Sequence, residues 1–130
     1  MEIEPVVVEA EERDWQTMQG DEATGAAVFY KTLISKDLTP SEALTVGVAK
    51  IPPGAALSEH RHSQPEAYLV LAGEGSVRVG GEARPIRAGS AVFIPGDAVH
   101  SCENTGVREL RLAYVLATDS FEDVNYVFED

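Results

Sequence analysis

Residues 54–73 read GAALSEHRHSQPEAYLVLAG. The stretch holds two of the chain's three histidines, His60 and His62, with Glu66 four residues after the second. His100, the third, comes near the end of another Gly/Pro-punctuated run, residues 89–104. Two imidazoles and a carboxylate close together, joined by a distant imidazole, make a coordination set for a divalent transition metal. Residues two apart on a pleated strand face one side. His60 and His62 therefore point together, as do Glu66 and Tyr68, and Gln64-Pro65 breaks the strand between the pairs. A His-x-His pair alone is a weak signal. The combination is stronger, because Glu66 lies in an otherwise apolar strand, where an unpaired charge is costly and a metal is the simplest partner.

Working outward, short apolar runs alternate with turn signals. Strands are expected over residues 26–34, 44–51, 67–71, 76–79, 83–87, 91–94, 99–103 and 109–116, with Pro52-Pro53-Gly54, Gly73-Glu74-Gly75, Gly80-Gly81 and Pro95-Gly96-Asp97 between them. Strands this short and closely punctuated indicate an all-β sandwich or barrel. Three parts follow: residues 1–25 an acidic arm in which Val6-Val7-Val8 adds an edge strand, 26–116 the barrel, and 117–130 a tail. Val124, Tyr126 and Phe128 alternate in that tail and make one more strand. Residues 9–19 are the only stretch with any helical pattern. Trp15 is expected to pack against the barrel.

With 130 residues the chain has the size of one domain, and at 44% hydrophobic it can bury a core without disulfides. Its one cysteine, Cys102, allows no internal disulfide and fits a reducing compartment. The start, MEIEPVVVEAEERD, lacks the basic start and apolar run of a signal peptide. No apolar run reaches the ~18 residues of a membrane span. A soluble, cytoplasmic protein is expected, with no membrane partner. The net charge of -12 repels a phosphate backbone and argues against nucleic acid. An edge strand left bare invites pairing, so a homodimer is expected.

The two histidine-bearing runs resemble the two motifs of the cupin family. The first, G-x5-H-x-H-x3-E-x6-G, is matched at Gly54, His60, His62, Glu66 and Gly73. The second, G-x5-P-x-G-x2-H-x3-N, is matched at Gly89, Pro95, His100 and Asn104. Asp97 stands where the family has glycine, and Gly96 falls one place early. The resemblance spans residues 26–116. It implies an all-β, cupin-type double-stranded β-helix (a jelly-roll barrel). It also implies His60, His62, Glu66 and His100 as ligands to iron, manganese, nickel, zinc or copper. A narrower resemblance concerns Tyr68. In cupin-type dimethylsulfoniopropionate lyases a tyrosine two residues after the metal-binding glutamate is the base that takes the proton α to the carboxylate; dimethyl sulfide leaves and acrylate remains. Tyr68 stands at that place, and the alternative is a core tyrosine with its hydroxyl on a neighbouring backbone group.

These readings favour a metal-dependent enzyme acting on a small carboxylate-bearing molecule by lyase-type proton abstraction. Dioxygenase or isomerase chemistry, a non-catalytic ligand- or metal-binding module and a purely structural barrel are the alternatives. Tyr30, Lys50, Arg111, Tyr114 and Tyr126 are candidates for the cavity mouth or for packing. Arg111 either holds a substrate carboxylate or pairs with Glu109. Cys102 shares parity with His100 and reads as a small buried hydrophobe. Arg78, Arg84 and Arg87 read as a solvated face.

Overall fold

The computed structural model describes residues 2–19 and 27–128. Ala26, the expected first residue of its strand, and the acidic Glu129 and Asp130 lie outside the described residues. Within them, two antiparallel sheets face each other. One runs in spatial order β1 (Gln16–Gln19), β2 (Val28–Ile34), β3 (Thr45–Ile51), β10 (Leu110–Leu116), β5 (Glu66–Ala72) and β8 (Ala91–Ile94). The other runs β11 (Val127–Phe128), β4 (Ala56–Arg61), β9 (His100–Asn104), β6 (Glu74–Val79) and β7 (Glu82–Arg87). β10 inserts between β3 and β5, and β9 between β4 and β6. The chain thus crosses repeatedly between sheets, as in the expected jelly roll.

Period-two patterning decides which faces are covered. In β10, Leu110, Leu112, Tyr114 and Leu116 turn inward and are buried. In β5 the inward set is Glu66, Tyr68 and Val70, while Leu69 and Leu71 stay exposed on the outer face. The run at 67–71, continuous in sequence, is therefore a one-sided strand. Ile51, Ile94, Leu110 and Leu116 are almost wholly buried between the sheets, and such burial contributes about 1.5–3 kcal/mol per side chain. The β6–β7 hairpin turns on Gly80 (φ 59°) and Gly81 (φ 88°), the two left-handed positions of a type I′ turn.

The N-terminal segment differs from expectation. Val6 to Val8 form no strand, and the edge strand is β1, whose polar residues pair with β2. Residues 9–19 form no α-helix: a 3-10 turn, Ala10–Glu12, is followed by β1. β1 pairs with β2 through backbone groups, and such a ladder outweighs weak helical propensity. Trp15 is half-buried, with Lys31 Nζ 4.6 Å and Lys50 Nζ 4.3 Å from its ring centre, a cation–π arrangement. No helix among the described residues is long and apolar enough to cross a membrane.

Candidate metal centre

Four side chains meet between the sheets, and their positions come from four local devices. The first is a β-bulge. Leu57 opposes Cys102 and His60 opposes His100, so three residues of β4 advance against two of β9. Plain alternation from Leu57 would turn Glu59 inward. The extra residue turns His60 inward instead and leaves Glu59 exposed. The second is the end of β4 at Arg61, which leaves His62 in the connecting loop. The third is the turn before β9. Gly96 lies so close to Ser63 that a Cβ there would clash with the Ser63 carbonyl, and the Asp97 N–H donates to the His62 carbonyl at 2.8 Å. This contact fixes the His62 loop against the strand that carries His100. The fourth is β5, which begins at Glu66 and directs it inward from the opposite sheet.

Asp97 explains the one departure from the motif. Its φ is 64°, in the left-handed region where glycine is favoured and Asp is among the few other residues tolerated. The turn keeps the glycine conformation without the glycine. Asn104, the motif's last residue, is structural: its Nδ2 donates to the carbonyls of Ile51 (2.8 Å) and Arg108 (2.7 Å).

His60, His62, His100 and Glu66 are all buried, at 1, 2, 1 and 4% exposure. The ligating atoms of the three histidines lie within 4.8 Å of one another, so the three could hold a metal ion. Each Nδ1 contacts a backbone carbonyl two residues away: His60 with Ser58 at 2.8 Å, His62 with Gln64 at 3.0 Å, His100 with Ala98 at 2.8 Å. A carbonyl only accepts, so each Nδ1 carries the proton and each Nε2 offers a lone pair. Glu66 Oε1 lies 3.1 Å from His62 Nε2 and 3.4 Å from His100 Nε2. His100 Nε2 is buried with no hydrogen-bond partner. Lone pairs and a carboxylate facing one another in a buried space repel unless a cation or a proton lies between them. Three imidazoles and a carboxylate are also the donors that divalent iron, manganese, nickel, zinc and copper accept. The residues present fit a metal.

Burial, followed by the neighbouring His100, pushes the His60 imidazole down to about 4, so it is neutral at neutral pH. Burial alone would raise the Glu66 carboxyl, but the His100 and His62 ring nitrogens that face it outweigh burial and hold the group below its ordinary value.

A cavity of about 30 Å³ adjoins Glu66. All four of the chain's tyrosines line it: Tyr30, Tyr68, Tyr114 and Tyr126. No Lys or Arg does. Tyr114 donates or accepts at Thr32 Oγ1 (2.9 Å), and Tyr30 donates to Gln16 Oε1 (3.1 Å). Tyr68 is buried opposite Tyr114 on the adjacent strand. No hydrogen bond to its hydroxyl is found among the described residues. Burial, and then the Glu66 charge, push the Tyr68 phenol well above its ordinary value. Cys102 is buried and lines the same cavity.

Lys50 and Arg111 do not reach the cavity. Alternation with the buried Ile51 and Leu112 places them on the outer face, beside Trp15. Arg111 Nε donates to Glu109 Oε1 at 2.6 Å, so of its two expected roles it takes the pairing one. Tyr126 is nearer the ligands than its place in the tail suggests, its ring stacked on His60 with centroids 5.1 Å apart. Its only sequence signal is its alternation with Val124 and Phe128. The β4 bulge has no sequence signal at all.

A jelly roll enclosing three histidines and a glutamate between its sheets defines the class, and the chain belongs to the cupin family: the cupin domain matches residues 47–116. The chain is 41% identical over 109 residues to the dimethylsulfoniopropionate lyase DddW of Ruegeria pomeroyi, covering 84% of this chain and 71% of that one. It is 35% identical over 85 residues to an oxalate-binding protein of Thermotoga maritima, covering 65% and 70%. Among solved structures it resembles that of a predicted oxalate decarboxylase from Thermotoga maritima, with a TM-score of 0.74, 29% identity and coverage of 87% and 99%.

Proposed function

We propose that His60, His62, Glu66 and His100 hold a divalent transition metal, and that the protein is a lyase for a small carboxylate bearing an onium leaving group, of the dimethylsulfoniopropionate type. The cavity lining carries this reading. Among the described residues four tyrosines and no Lys or Arg line the space beside Glu66. Tyrosine faces attract an onium cation. A second carboxylate, such as oxalate has, would find no cationic side chain there. The likeness to DddW supports the same reading. A bound divalent ion would supply the positive charge that receives the substrate carboxylate and favours the phenolate of Tyr68.

In this reading the chain's own groups do the rest. The three Nδ1–H groups, each held by a carbonyl, fix the imidazole orientations. The Tyr68 phenolate oxygen takes the proton α to the carboxylate. The electron pair of that C–H bond forms the C=C bond, and the C–S pair leaves with sulfur. Acrylate, dimethyl sulfide and neutral Tyr68 result, with atoms and charge in balance. The test is headspace detection of dimethyl sulfide from metal-loaded protein, beside Tyr68→Phe. The parent releases dimethyl sulfide, while Tyr68→Phe keeps its metal and turns over about 10²–10⁴-fold more slowly. Loaded parent that is stabilised by dimethylsulfoniopropionate yet yields no product is a binding module instead.

A further inference from the structure

The tail after β10 ends over the ligand histidines. Its root is held from several directions. Asp119 accepts from the Ala43 N–H at 2.6 Å, and its carbonyl accepts from the Lys36 N–H at 2.8 Å. The Phe121 N–H donates to Ser35 Oγ at 2.9 Å, and Ser120 Oγ donates to Asp37 Oδ1 at 3.0 Å. Both serines are buried. The tip is more exposed. Among the described residues β11 pairs with β4 at Val127 with Arg61 and Phe128 with His60, and both tail residues are exposed. Yet this tip covers the centre: the Tyr126 ring lies 5.1 Å from His60 and 5.4 Å from His62, and the Phe128 ring 5.5 Å from His60.

The closed cavity is too small for its proposed use. About 30 Å³ holds roughly two waters, whereas an onium carboxylate has several heavy atoms beyond the group that meets the metal. We propose that residues 124–128 form a strap, rooted on the Ser35–Asp37–Ser120 cluster, that lifts to admit metal and substrate and closes Tyr126 and Phe128 over the histidines. The proposal rests on the metal-site reading for what is admitted; the motion itself does not depend on it.

Cys102 gives a readout that needs no metal, since it lines the same cavity and is 1% exposed. Two variants free the tip. One ends the chain after Asn125. The other is Val127→Pro, which removes a backbone donor at an exposed strand position. Cooperative thermal unfolding checks that each remains folded. Two rates are measured on parent and variants: methyl methanethiosulfonate labelling of Cys102 in metal-free protein, and cobalt(II) uptake followed by visible absorption. Truncation is expected to speed both at least tenfold, and Val127→Pro severalfold. Equal labelling rates in parent and in both variants overturn the strap. A strap-dependent labelling rate in a protein that takes up no cobalt upholds the strap and refutes the metal reading.

Discussion

The cavity has two ends, and they are built to different standards. At the far end every tyrosine hydroxyl is engaged, Tyr114 with Thr32 and the Lys31 carbonyl, Tyr30 with Gln16. At the ligand end His100 Nε2 has no hydrogen-bond partner, and among the described residues no hydrogen bond to the Tyr68 hydroxyl is found. Tyr68 and Tyr114 are register partners on neighbouring strands, so composition and burial do not separate them. Their hydrogen bonding does. A buried polar group normally finds a partner, because an unpaired one costs about 1–3 kcal/mol. On the proposed reading the satisfied end is packing, and the other end is where a cation and a substrate would bind.

Substitutions at the two ends can break that contrast. The largest effect is expected from His100→Ala, which removes the donor whose Nε2 has no hydrogen-bond partner. Groups that merely support ligands change metal affinity about 10–100-fold, so loss of a ligand should exceed ~100-fold. Metal content after dialysis measures it, and full occupancy in the variant would show that His100 is no ligand. Tyr68→Phe and Tyr114→Phe come next as a pair. Tyr68→Phe should leave metal content unchanged and lower turnover by about 10²–10⁴-fold. Tyr114→Phe should leave turnover near the parent's and cost about 1 kcal/mol of stability in urea. Equal effects on turnover would erase the difference between the two ends.

Acid should act on the ligand end of the metal-free protein. His60 has its pKa depressed from 6.5 to about 4 by burial and then by His100. A histidine held neutral contributes its full stability above 6.5 and loses it as pH falls towards 4, because the unfolded chain takes up the proton first. The loss is about 3 kcal/mol. Glu66, also held below its ordinary value, adds to the loss as pH falls through its folded-state pKa. Urea midpoints that stay level from pH 7.5 to 4 would contradict a buried neutral His60. The smallest effect is expected from Asp97→Gly, which puts glycine at a left-handed position that Asp already tolerates. Its midpoint should move by less than the equivalent of about 1 kcal/mol.

Much of this was legible in the chain. Glycine and proline punctuation, with period-two runs between, determined an all-β fold, because φ > 0 turns and alternating burial leave direct marks on sequence. The spacing of His60, His62, Glu66 and His100 singled out the residues that gather at the centre, because each must occupy a fixed place beside a turn. Other features left no local mark. The bulge that aims His60 inward depends on which strand lies opposite. The edge strand at Gln16–Gln19 depends on β2 offering a free ladder, which the valines at 6–8 do not have. Lys50 and Arg111 went outward and Tyr126 inward because the sheets put them there. Identity and spacing are properties of the chain. Partner strand, facing and closure arise only when distant segments meet, and these tertiary contacts decided the surroundings of Tyr68 and the cover over the histidines.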